Sequence, residues 1–61
     1  MLTLETQEVG TGKWFPIVWY VPGTVEQREQ AVDHGNLMHK VVGLYTRVTG
    51  EIVTMNGEGT K

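Results

Sequence analysis

Few residues of this chain could do chemistry. They are His34 and His39, the carboxylates Glu29 and Asp33 near them, and a lysine after a glycine-rich stretch, Gly10-Thr11-Gly12-Lys13. Each lacks its partners. Catalysis by Asp33-His34, or by Glu29 with a serine-like nucleophile, has no serine to use, and so short a fold cannot readily enclose a water-excluding pocket. The histidines stand five residues apart, on different sides of a helix, whereas zinc ligands on a helix are usually three or four apart. With no cysteine and only Asp33 nearby, the expectation is no metal and no cofactor. His34 then reads as a solvated or capping residue, where an imidazolium near a helix C-terminus interacts favourably with the macrodipole. Gly10-Thr11-Gly12-Lys13 leads into a strand, not a helix N-terminus, so it does not have the context of a phosphate loop. The chain is expected not to be an enzyme.

The informative residues are apolar. Lys13 to Val21 runs Lys-Trp-Phe-Pro-Ile-Val-Trp-Tyr-Val, a strand in which both alternating sets are large. The odd positions Phe15, Ile17, Trp19 and Val21 read as a core face, so that Phe15→Ala or Trp19→Ala would cost roughly 3 to 5 kcal/mol. The even positions Trp14, Pro16, Val18 and Tyr20 are then surplus, because one short helix covers only one side of a sheet. Trp and Tyr combine apolar area with a polar tip and are enriched among binding hot spots. The candidate binding residues are therefore Trp14, Val18 and Tyr20, with Tyr45 beside them and Lys13 and Arg47 at the rim. Pro16 cannot donate a ladder hydrogen bond, which places it at an edge or a bulge.

The remaining elements must position that strand. Leu2 to Val9 alternates Leu2, Leu4 and Thr6 against Thr3, Glu5 and Gln7, the period of a half-buried strand, and Gly10 to Gly12 would join it to the aromatic strand as a hairpin. Pro22-Gly23 ends the hairpin, and Thr24-Val25-Glu26-Gln27 matches a capping box that starts a helix. Val25, Ala31, Val32 and Gly35 share an arc of that helix with the stem of Arg28, and Gly35-Asn36 reads as its C-terminal cap, with the helix ending near His34 or running on to His39. Lys40 to Val48 alternates again as a third strand. Thr49-Gly50 has the spacing of a tight turn into a fourth, Glu51 to Met55. The expected fold class is α+β: a small antiparallel sheet of about four strands with one helix packed on one face, in the order ββαββ. Residues 1–55 form the single domain and 56–61 a flexible tail.

Composition sets the outer bounds. Sixty-one residues with seven acidic and five basic side chains give a net charge of −2, without a run of one sign, so a phosphate backbone is not the obvious partner. An aromatic sheet face can stack unpaired bases, but only Lys13, Lys40 and Arg47 lie near it, which ranks single-stranded nucleic acid third among partners. Met1 to Glu5 lacks the basic start and apolar run of a signal peptide, and the apolar run Trp14 to Val21 is too short to cross a bilayer. The expected location is the cytoplasm.

In length, ββαββ layout and the phrase Arg47-Val48-Thr49-Gly50-Glu51-Ile52-Val53, the chain resembles small orphan accessory proteins encoded in phage genomes, such as inhibitors of host polymerase and anti-CRISPR proteins. The resemblance implies a modulator that occupies a surface of a larger host protein, in the host cytoplasm. It carries no residue roles, and the mild acidity argues against DNA mimicry. The leading expectation is thus a non-catalytic protein-binding module. A self-associating homodimer, closed through the same face or the edge of the Pro16 strand, is the alternative.

Overall fold

The computed structural model describes residues 1–53 and shows a small α+β fold of three antiparallel strands and one helix. β1 spans Leu2–Gln7, β2 Trp14–Tyr20, α1 Val25–Val42 and β3 Thr46–Gly50. The sheet order is β2-β1-β3, so the chain's first strand is central and the aromatic strand is an edge. That edge position suits Pro16, whose ring nitrogen has no proton to donate. The described residues give the order ββαβ, and the fourth strand expected over Glu51 to Met55 is not confirmed among them. Thr49 and Gly50, expected as a hairpin turn, pair instead with Thr3 and Leu2 inside the β1–β3 ladder. Glu51 to Val53 lie in no strand, and Thr54, Met55 and the expected 56–61 tail lie outside the described residues.

The helix starts where the capping box places it. Thr24 Oγ1 accepts from the Gln27 amide at 3.1 Å, and Gln27 Oε1 accepts from the Thr24 and Gly23 amides at 3.0 and 2.8 Å. It ends far beyond the expected cap at Gly35. Lys40, Val41 and Val42, expected to open a third strand, form its last turn, and Gly43 closes it in the left-handed conformation with φ 75°, its amide donating to the His39 carbonyl. Alternating valines fit a strand and a helix end equally well over so few residues, and the left-handed glycine marks the boundary. His39 and Lys40 occupy the last turn, favourably placed towards the helix dipole. His34, expected near that end, lies mid-helix.

Gly35 has a different task. It sits inside α1 where the helix touches the sheet: a Cβ there would collide with Thr46 Oγ1 and stand 3.3 Å from Leu4 Cδ1. The core on this side is compact, with Leu2, Leu4 and Ala31 as its buried apolar residues and Thr6 buried among them, its hydroxyl donating to the Tyr45 carbonyl at 2.9 Å. The helix packs chiefly on β1 and β3 and touches β2 only at its margin.

Two stability predictions follow from this packing. Leu4 is fully buried while Trp19 is 55% exposed, so Leu4→Ala should cost about 2 to 5 kcal/mol and Trp19→Ala about 1 kcal/mol or less by urea denaturation. Gly35→Ala should lower stability by about 1 to 3 kcal/mol although alanine is the better helix former, because the methyl group has no room. A gain on Gly35→Ala would show that helix and sheet are not in contact there.

Candidate functional site

The candidate site is the face of the sheet that the helix does not cover. Directly opposed residues in an antiparallel pair share a face. Leu2, Leu4 and Thr6 are buried under α1, so their partners Tyr20, Val18 and Phe15 on β2, and Gly50, Val48 and Thr46 on β3, stand on the helix side. Thr3, Glu5 and Gln7 alternate to the open side, together with Trp19, Pro16 and Trp14 on β2 and Thr49 and Arg47 on β3.

A bulge makes this partition. Leu4 pairs with Val18 and Glu5 with Pro16, which leaves Ile17 as the extra residue of β2. One unpaired residue reverses the phase of every position beyond it. Before the bulge the even positions Trp14 and Pro16 face outward, and after it the odd position Trp19 does. The expectation that Phe15, Ile17, Trp19 and Val21 share one core face is therefore corrected: Trp19 lies on the open face, Tyr20 and Val18 on the helix face, and Val21 beyond the strand.

The six sequence-derived binding residues divide accordingly. Trp14 and Arg47 meet on the open face, where the guanidinium carbon lies 4.3 Å from the indole centroid. Lys13 is exposed in the connection that leads into Trp14, its amide donating to Thr11 Oγ1 at 3.3 Å. Val18 and Tyr20 are half-buried on the other side, and the Tyr20 hydroxyl is 3.5 Å from His34 Nδ1. Tyr45 stands at the end of the helix, its ring 5.4 Å from that of His39. Trp19 is the open-face residue that alternation alone misplaces, whereas Glu5 and Pro16 lie on the side that alternation gives them, although neither was among the candidate binding residues. Pro16 was the available signal, since a proline within a strand marks an irregularity that can shift the phase.

Arg47 organises the surface. Its Nε donates to Glu5 Oε1 at 2.7 Å across the β1–β3 ladder, while the same guanidinium lies over Trp14 on the far strand. The planar cation thus spans three strands and holds one indole by a cation–π contact. The carboxylate is mostly covered and the guanidinium half-exposed. Trp19 lies on the same face, opposite Thr3 and 55% exposed. The arrangement offers two apolar plates on either side of an internally neutralised charge pair. Among the described residues no group of three or more His, Cys, Asp or Glu side chains is placed to hold a metal, and no helix is long and apolar enough to cross a membrane.

Comparison of the chain with protein-family models, with curated proteins and with solved structures found no match.

Replacing Arg47 by Met should cost no more than about 1 kcal/mol, since a partly exposed ion pair and cation–π contact contribute little net stability. In a Trp19→Phe background the same change should shift Trp14 emission to the red as the ring loses its cover. An unchanged spectrum would mean that the guanidinium does not rest on the indole in solution.

Proposed function

We propose that the chain is a non-catalytic binding module that docks on a larger protein through the open face of its sheet. The observation that supports this most directly is the pair of indoles, Trp14 and Trp19, on the side of the sheet opposite the helix. A fold with so small a core gains by burying large side chains, yet these two are turned away from it. Tryptophan and arginine dominate hot spots because a rigid ring or planar cation loses little entropy when a partner covers it. Here Arg47 already fixes Trp14 in place, so part of the ordering cost is met before the partner arrives. The Glu5–Arg47 pair carries no net charge, which favours a protein surface over a phosphate backbone. The resemblance in length and in the phrase Arg47 to Val53 to phage-encoded accessory proteins supports a host protein as that partner, met in the host cytoplasm.

The test compares Trp14→Ser/Trp19→Ser with the unmodified chain. Both should show the same circular dichroism, and Tm should fall by no more than about 15 °C, the equivalent of about 2 kcal/mol at this length. Proteins retained from host lysate by the immobilised wild type should be lost by at least tenfold with the double variant, and a Val9→Ser control, at a residue 86% exposed between β1 and β2, should retain them. Equal retention by wild type and double variant would exclude the open face as the docking surface.

A further inference from the structure

Among the described residues the helix carries a second uncovered surface, on a different side of the molecule from the indoles. Along α1, Gln30, His34, Leu37 and Val41 follow the 4-3-4 spacing of a coiled-coil seam. Leu37 is 57% and Val41 69% exposed, and with His34, Met38 and Val42 they line a groove that is almost wholly apolar. The seam lies on the β2 side of the helix, as the contact between His34 and Tyr20 shows. β2 is the strand the helix fails to cover. Phe15, on the helix side of that strand opposite Thr6, is 43% exposed at the end of the sheet where the helix terminates. The apolar groove on this side of α1 is therefore open to a second helix.

Charge identifies the occupant. Glu26, Asp33 and Lys40 recur every seven residues along one flank of the seam, so the flank is acidic towards the helix N-terminus and basic at its C-terminal end. A flank of this kind complements itself only when two copies run antiparallel about a twofold axis near Leu37. Asp33 of one copy then faces Lys40 of the other, twice. The exposed apolar area of the seam, on the order of 300–400 Å² per copy, sits at the low end of what a specific interface buries once its polar rim is added.

We infer that α1 is the interface of a weak antiparallel homodimer, seamed by Leu37 and Val41 and oriented by reciprocal Asp33–Lys40 pairs. Because the indole face lies on the opposite side of each sheet, the dimer keeps both docking faces free and pointing away from its axis. Two linked faces bind a repeated or symmetric partner more tightly than one does.

Sedimentation velocity on the full chain across a concentration series tests this. The wild type should pass from monomer to dimer with a dissociation constant on the order of 10–100 µM. Asp33→Lys and Lys40→Asp should each weaken the dimer about tenfold, since each turns two attractions into two repulsions, and the combined swap should return it to within about threefold of wild type. Leu37→Lys should leave a monomer with unchanged circular dichroism, and Val41→Lys serves the same purpose if that variant misfolds. Trp14→Ser/Trp19→Ser should dimerise like the wild type, which separates this surface from the proposed docking face. A monomer at about 1 mM, a combined swap as weak as its single parents, or loss of the dimer in the indole variant would each overturn the assignment.

Discussion

The close approach of α1 to the sheet at Gly35 is the contact on which the rest of the structure depends. Leu4 on the central strand and Thr46 on β3 come up against the helix at a point where a side chain would not fit. Sealing Leu4 and Leu2 beneath Ala31 requires that proximity, because apolar burial and dispersion both fade over a fraction of an ångström of separation. The helix is thereby held towards the β1–β3 side of the sheet. Its lateral position decides which apolar residues are satisfied and which are left for other contacts.

β2 inherits the consequences on both of its sides. Beneath the helix layer it keeps Phe15, Val18 and Tyr20 only partly covered, and on the open side it presents Trp14, Pro16 and Trp19. An edge strand with apolar residues on both faces is a hazard for indiscriminate pairing. Pro16 and the adjacent bulge blunt that hazard, since a missing amide proton and a break in register both interrupt a template for a new strand. What remains exposed is side-chain surface in place of ladder hydrogen bonds, and side-chain surface selects its partners by shape.

The two exposed surfaces are built differently. The open face is held by a cross-strand ion pair and a cation–π contact that contribute little stability but restrict Trp14 to one orientation. The helix seam has no such internal brace, and its charges are arranged along the axis, where they set direction more than strength. A domain with so few buried side chains has little stability of its own to lose. Association through either surface therefore adds to it by mass action.

Much of this was legible in residue order. The period of two in Leu2 to Gln7, the aromatic run of β2 and the Thr24–Gln27 capping box depend on contacts within a few residues, so local chemistry was sufficient to place them. The α+β class followed, as did the argument that one helix leaves one sheet face open, because it needs only the count of elements. Tertiary structure alone decided the rest. The helix runs past Gly35 because that glycine is needed for close packing and not for a turn, and nothing local distinguishes the two uses. The side on which Trp19 and Tyr20 lie turns on a single unpaired residue, Ile17, which exists only in relation to the strand opposite. Thr49 and Gly50 extend β3 because β1 is there to pair with them. A sequence specifies propensity at each position, whereas face, register and the far end of a helix are settled by the neighbour that the chain meets on folding.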